Sequence, residues 1–497
     1  MKDQFKLTLS LALLGLVLPM SACSAARAKP IDTAPPAPQL AQSSATTELA
    51  APESTSESLR TESQSSGISP IAALNIDPDL NMCEGLVTHT ERMAIKAVAK
   101  PPYLKHYREP AFNTKVIRVT NSRKGESQKP AYSTMQAWNA DESLLMLYRS
   151  GLDQGTHILL DGHTYEPIRA LNIVPSDLEE VYWSHKDPDI FYYVSKYSSD
   201  IGLFKKYNVK TNKTRVVKDF SKQCGFRSMP TGGGDVHMQS LDDDFWGFRC
   251  RKEDGNWIML TYRISTDEVS VKRIGDGTPW ESWLAPTPGP SGKTLFYQGT
   301  SLDPDLTNIR HKLDMAKAWE HSNVGQTYNG QDAIFSTVFD PSPKGCDGDI
   351  RQGVGHLTEF NLETGKCRPI ISESNGYPYT TSGTHVSARA IHKPGWIAMS
   401  SVGYDQFRWF TNGRKAPVLF SEIYLANTDP DNTVICRLAH HRSYAKHAKN
   451  APYKAYFGEP HATISPSGTR IIFGSDWYDS GSVDSYVIEL PGYQKPN

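Results

Sequence analysis

The sequence predicts an all-β fold: a seven-bladed β-propeller of four-stranded antiparallel blades, preceded by a disordered N-terminal tether. Three observations carry this expectation. A unit made of a strand, a tight polar turn and an apolar strand recurs seven times. A second hairpin follows most of the copies. The composition, with 10% aromatic residues, 36 Gly and 33 Pro against only 38% hydrophobic residues, suits many short strands and turns better than long helices. An all-helical protein and a multi-span membrane protein are therefore disfavoured. The 53 basic and 54 acidic residues nearly cancel, which disfavours a nucleic-acid wrapper or a polybasic membrane binder.

In chain order, Lys2 and Lys6 precede an apolar run from Leu7 to Met20. The run is too short to cross a bilayer and has the length of a secretory h-region. It ends in Met20-Ser21-Ala22-Cys23, which resembles the bacterial lipobox, with cleavage before Cys23 and lipidation of that cysteine. Ser24 stands where, in that family, Asp would signal inner-membrane retention, so the expected location is the outer membrane, or the periplasm or exterior if Cys23 is not lipidated. The expected organisation is a signal peptide over 1–23, a linker over 24–82 and the propeller over 83–497. The linker is rich in Ser, Thr, Ala, Pro, Glu and Gln, and it has too little apolar surface to offset its ordering entropy.

The seven hairpins follow. Segments at 137–143, 182–189, 239–244 and 288–293 lead into Leu144–Leu147, Ile190–Tyr193, Phe245–Phe248 and Thr294–Tyr297. Three more turns fall at 329–332, 392–395 and 465–468, the last before Arg470–Phe473. The second hairpins start from Tyr207-Asn208-Val209, Tyr262-Arg263-Ile264, Phe360-Asn361-Leu362 and Ile423-Tyr424-Leu425. A four-stranded sheet of this kind buries its faces only against copies of itself, and closing seven copies into a ring removes the exposed flanks. The last copy stops after Leu490 without a fourth strand, and Thr114–Thr120 has the character to supply it and clasp the ring shut. The stretch 302–320, with Asp314 to Trp319, reads as a short helical insertion.

Six cysteines follow Cys23, none in a CxxC pair. An even number in an exported chain favours disulfides over zinc. Sequence neighbourhood suggests Cys224 with Cys250 and Cys346 with Cys367, leaving Cys83 for Cys436; the alternative is that some are free buried thiols.

In a propeller the inner strands run alongside the channel in one direction, so residues at their beginnings gather at one mouth. Several of these beginnings carry histidine: His237, His321, His385 and His461, with Arg389 and Glu459 close by and Asp235 and Glu281 at comparable positions. Neutral imidazole is a common ligand for divalent transition metals and a base near neutral pH. His237 and His385 are candidate bases, and Arg389 a candidate anion-binding and catalytic residue. Trp280 and Glu281, with Arg389, are candidate substrate contacts. The bland reading is that such histidines cap loops, that Arg389 forms an ion pair within its blade, and that Trp183, Trp280, Trp283 and Trp319 pack between blades. His440-His441-Arg442, with Tyr444 and His447, reads as a solvated basic loop or as one reaching over the mouth. Gly232-Gly233-Gly234 lacks the context of a phosphate loop.

Ser465-Pro466-Ser467-Gly468, with Gly458 to Ile464 before it, resembles the TolB-type propeller repeat and, more narrowly, oligogalacturonate lyase and similar secreted seven-bladed propellers. The pattern runs from about 114 to 490, with particular motifs only in the last blade and from His385 to Trp396. The resemblance implies a manganese or calcium ion at the mouth, with His321, His385, Glu459 and His461 as its candidate ligands. The metal would bind a uronate carboxylate so that a base can remove the adjacent proton in β-elimination. His461 is the position that matches a ligand of that motif. This chain departs from the family in having a single His461, preceded by Glu459 and Pro460, where the family has a closely spaced ligand pair. The partners so implied are an acidic polysaccharide or, for a non-catalytic scaffold, an envelope protein. The chain is expected to be a monomer, to meet the membrane through its lipid anchor alone and to bind no nucleic acid.

Overall fold

The computed structural model describes residues 77 and 79–495, except 152–154, 197–199, 201, 226–235, 274–283, 316–320, 339–345, 347–354, 378–382, 406, 408–417 and 447–454. Residues 1–76, with Cys23, lie outside the described residues. So do Asp235, Trp280, Glu281, Trp283, Trp319, His447 and the Gly232–Gly234 run.

The chain is a seven-bladed propeller. After β1 (His106–Arg108) and β2 (Lys115–Arg118), the first blade holds β3 (Ser127–Lys129), β4 (Leu144–Ser150), β5 (Thr156–Asp161) and β6 (Pro167–Ala170). The second holds β7 (Val181–Trp183), β8 (Ile190–Val194), β9 (Leu203–Asn208) and β10 (Lys213–Asp219). The third holds β11 (Phe245–Arg251), β12 (Trp257–Arg263) and β13 (Glu268–Arg273) among the described residues. The fourth holds β14 (Thr287–Pro288), β15 (Leu295–Tyr297), β16 (Thr300–Leu302) and β17 (Ile309–Lys312). The fifth holds β18 (Ser322–Gln326), β19 (Asp332–Ser336), β20 (Gly355–Asn361) and β21 (Cys367–Ser372), and the sixth β22 (Gly383–Ser387), β23 (Trp396–Ser401), β24 (Glu422–Asn427) and β25 (Val434–His440). The seventh holds β26 (Thr463–Ile464), β27 (Arg470–Ser475) and β28 (Asp484–Glu489).

Ring closure comes from the strand ahead of the first blade. β2 adds to the edge of β28, pairing Lys115 with Glu489 and Ile117 with Val487, and β1 adds outside β2 as a fifth strand. Val116 and Ile117 are buried, so the closing strand is also a core strand. Successive strand residues point to opposite faces, so Val116 joins the core on one side of the sheet and Ile117 the core on the other.

The tight turns repeat a local device. In Ser465-Pro466-Ser467-Gly468 the last residue sits at φ 80°, and in Pro290-Ser291-Gly292 at φ 69°; glycine takes this left-handed region without the steric cost of a Cβ. Each turn is also held by an acidic side chain of the next blade. Asp243 accepts from the Ser184 hydroxyl (2.5 Å) and the His185 amide (2.9 Å). Asp332 accepts from the Ser291 amide (2.9 Å) and hydroxyl (2.6 Å). Glu142 accepts from the Ser467 amide (2.6 Å) and pairs with Arg470. Blade-to-blade adhesion thus combines apolar burial with charge-assisted hydrogen bonds.

All three disulfides form with the partners that sequence neighbourhood suggested: Cys83–Cys436, Cys224–Cys250 and Cys346–Cys367. Two expectations are corrected. Residues 302–312 are strand and turn, because Pro304 breaks the helical register after Asp303 and the Asp303 amide bonds the Asn308 carbonyl at 3.0 Å, which sets up β17; residues 316–320, the rest of the expected helix, lie outside the described residues. His440, His441 and Arg442 are buried rather than solvated. Arg442 makes a two-pronged pair with Glu109 at 2.5 and 2.9 Å, which clamps the N-terminal arm onto the last two blades.

Candidate functional site

Hydrogen bonds that cross the ring show the inner strands converging on one axis. The Thr463 hydroxyl donates to the Tyr132 carbonyl (3.2 Å), and Thr134 to that of Val236. The Gln136 amide donates to the carbonyls of both Arg389 and Ile464, at 3.0 Å each. Blades one, three, six and seven therefore touch directly.

Near the beginnings of these strands, His385 on β22 and His461 just ahead of β26 meet Glu459. Their Nε2 atoms lie 3.1 and 3.2 Å from the same Oε2 of Glu459, and their rings are 4.3 Å apart. One ligating atom from each of the three residues falls within 4.8 Å of the others, and all three residues are buried. His461 adopts φ 43°, a left-handed backbone that turns its side chain back toward Glu459 only two residues earlier. Burial alone would raise the Glu459 carboxyl, but hydrogen bonds from His385 and His461 hold it well below the usual range. Burial, then Lys129 and His385, push the His461 imidazole well below its ordinary value.

A second ring of side chains surrounds this cluster. Lys129, at the end of β3, sits 2.8 Å from His461 Nδ1 and donates to the Glu459 carbonyl at 2.8 Å. Burial draws its ammonium down to about 7 against the pull of Glu459 and Glu179. Glu179, which accepts from the Tyr456 hydroxyl, is pushed up to about 8 by burial and by Asp177. Tyr132 packs edge-on against both imidazoles and Tyr456 against His461, at 5.5, 4.7 and 4.8 Å between centroids. The His321 ring is 6.3 Å from that of His385, and burial lowers its imidazole to about 4. His321, Glu179 and Tyr456 keep part of their surface accessible although protein crowds them on all sides, as side chains facing a channel do.

His237 and Arg389 lie deeper and meet at Asn323. His237 Nδ1 is 3.4 Å from the Asn323 amide nitrogen, and Arg389 Nε donates to Asn323 Oδ1 at 3.2 Å. Arg389 lies four residues beyond His385, which corresponds to roughly 13 Å of extended chain. The structure thus unites His385, Glu459 and His461, sets His321 beside them, and leaves His237 and Arg389 as a separate pair. Trp280 and Glu281 lie outside the described residues. Of the tryptophans, Trp183 packs between blades and donates to the Ala137 carbonyl at 3.2 Å.

Sequence reasoning missed Lys129, Tyr132, Tyr456 and Asn323. Pro130 interrupts the inner strand of the first blade and hid its repeat. The signal available was Gln128-Lys129 ahead of Pro130, at the distance before Leu144 that an inner strand requires.

No family model matches the sequence, and no curated protein matches it. Solved structures do match its fold. An oligogalacturonate lyase in complex with manganese is 14% identical with a TM-score of 0.53, over 82% of this chain and 98% of that one. The oligogalacturonate lyase from Vibrio parahaemolyticus is 14% identical with a TM-score of 0.52, over 82% and 99%. TolB from Acinetobacter baumannii matches at 9% identity and a TM-score of 0.32, over 70% and 79%. The class defined is a seven-bladed propeller similar in fold to oligogalacturonate lyase. Fold similarity at this identity leaves function to be argued from the residues.

Proposed function

We propose that this chain is a propeller of the bacterial envelope that binds an acidic, uronate-containing polysaccharide at the His385–Glu459–His461 mouth and cleaves it by β-elimination. The observation that carries the reading is the meeting of His385 from the sixth blade with Glu459 and His461 from the seventh, in the protonation states that a divalent cation requires: Glu459 ionised and His461 neutral. Lys129 fits as well. With a cation in place, His461 would exchange its Nε2–H bond to Glu459 for the metal, and Lys129 as a neutral amine would accept the proton then carried by Nδ1. Two nitrogens and one oxygen suit a divalent transition metal better than calcium, which favours about six to eight oxygens.

A bound cation would neutralise the uronate carboxylate and acidify the neighbouring carbon acid. The chain's own residues do the rest. His385, Glu459 and His461 would hold the ion. His321, neutral and open to the channel, takes the proton from the carbon beside the carboxylate at a ring nitrogen; the bond from the next carbon to the glycosidic oxygen breaks as the double bond forms, and that oxygen takes a proton from water. Tyr132 and Tyr456 hold the imidazole planes and keep bulk water from them. Cys23 anchors the protein to the outer membrane through its lipid; among the described residues no helix is long and apolar enough to cross a membrane.

The test is a release assay with a panel of uronate polymers, following the ultraviolet absorbance of the unsaturated product with and without added manganese. The expected result is a metal-dependent signal that falls by about 10²-fold or more in His461→Ala. Silence with every polymer, with and without manganese, overturns the lyase reading and leaves an envelope scaffold.

A further inference from the structure

Charge is unevenly placed on this molecule. From Val181 to Lys222 the second blade carries nine basic residues against four acidic ones, in a chain whose totals nearly cancel. Three of these cations are matched: Lys205 pairs with Asp200, Lys210 with Asp189 at 2.8 Å and Lys218 with Asp267 at 2.6 Å. Lys206 on β9, with Lys213 and Arg215 on β10, has no carboxylate within ion-pair reach among the described residues, and neither do those two.

The strand register places the unmatched cations on one face. Arg215 lies directly across from Lys206, Lys213 sits two residues earlier on the same side, and the bulge at Val217 returns Lys218 to that side opposite Phe204. Like charges directly opposite on adjacent strands repel, so this row stands against a local penalty. Lys213 and Arg215 are exposed, Lys206 is half-buried, and β10 is the outermost strand of its sheet. Three antiparallel pairings separate β10 from β7, whose beginning lies at the mouth, so β10 runs back toward the mouth side of the ring. The row climbs in that direction at roughly 6.7 Å per alternate residue, and the exposed Lys222 follows beyond the strand end.

We infer that this face of the second blade is a docking strip for a linear polyanion, on which the uronate polysaccharide lies along β10 with its carboxylates against Lys206, Lys213 and Arg215. The identity of the polymer rests on the reading given above, whereas the strip rests on charge and register and shares no residue with the metal cluster. A thread fits better than a flat anionic membrane, because the neighbouring blade edges lack such a row. On β6, Arg169 donates to the Tyr207 hydroxyl and the Val209 carbonyl, and β13 opens with Glu268 beside Asp267. Exposed charge pairs are weak one at a time, so the strip gains its strength from repetition along the polymer and loses it to salt.

The test is affinity electrophoresis of the full chain through gels containing polygalacturonate or neutral galactan. The unaltered chain is expected to be retarded by polygalacturonate alone, and less so at high salt. The Lys213→Glu, Arg215→Glu double variant is expected to bind about ten-fold more weakly, while Lys213→Arg with Arg215→Lys, which keeps both charges, behaves as the unaltered chain. In the release assay the charge reversal is expected to raise KM for the polymer, with kcat unchanged and with KM for trigalacturonate unchanged. No retardation, equal retardation by galactan, or equal retardation of the charge-reversed variant overturns the strip whether or not the chain is a lyase. Retardation that the charge reversal abolishes, in a chain that releases no product, supports the strip and overturns the lyase reading alone. Loss of binding to phosphatidylglycerol vesicles in the double variant, with its gel retardation unchanged, assigns the face to a membrane and overturns the inference.

Discussion

His157, His185 and His441 carry neutral imidazoles inside the fold. Burial, the largest influence on each, lowers them to about 4, 4 and 3 respectively. Local bonds show why protonation is resisted: His441 Nδ1 accepts from the Ser443 amide at 2.9 Å, a bond that the imidazolium cannot make. In the unfolded chain these groups titrate near their ordinary value, so between there and the folded values the unfolded state binds more protons. Their stabilisation is complete above about pH 6.5 and is lost as pH falls, at roughly 2 kcal/mol per group between pH 7 and pH 5. Urea melts at the two pH values should therefore show a large drop in midpoint, and His157→Gln should remove part of it. A midpoint indifferent to pH over this range would remove the argument. At this scale the sequence named His385, Glu459 and His461 but could not tell them from His441, which is bonded to backbone and Ser401. Both are histidines beside strands; only their neighbours differ.

The blade hairpins were legible because their turns carry their own chemistry: Ser-Pro-Ser-Gly and Pro-Ser-Gly place glycine where a positive φ is needed, and apolar strands follow at once. The clasp by β2 was legible from a deficit, a last copy one strand short. The fifth strand β1 was not, since His106–Arg108 has no apolar alternation to announce it. Cys83–Cys436 joins residues 353 apart, whereas Cys224–Cys250 joins residues 26 apart. Chain entropy assigns the longer loop about 6 kcal/mol and the shorter about 3.5. Replacing both cysteines of each pair by serine should lower the unfolding free energy in that order in urea titrations. The reverse order would mean that the N-terminal arm is held by the Arg442–Glu109 pair and the bonds from Arg437 to the His89 and Glu91 carbonyls rather than by the covalent link.

For the whole molecule, ring closure is what turns dispersed residues into a site. Glu459 and His461 are two residues apart in sequence, but His385 lies in another blade and Lys129 more than three hundred residues away. If the cluster holds a cation, protein purified without chelator should contain about one equivalent of divalent transition metal by elemental analysis, and the His385→Ala, His461→Ala double variant should contain almost none. Metal in both, or in neither, would detach the cluster from the proposed chemistry.

By itself the sequence determined the strand period, the turn positions, the number of blades, the closing strand and the cysteine partners, because each is written in residues near one another or in a simple count. Tertiary structure alone decided which histidines face one another, that Lys129 joins them, and that Arg389 and His237 turn instead toward Asn323. The reason is geometric: inner strands from different blades are brought to common levels along the channel by ring packing, and no local pattern in one blade encodes the level reached by another.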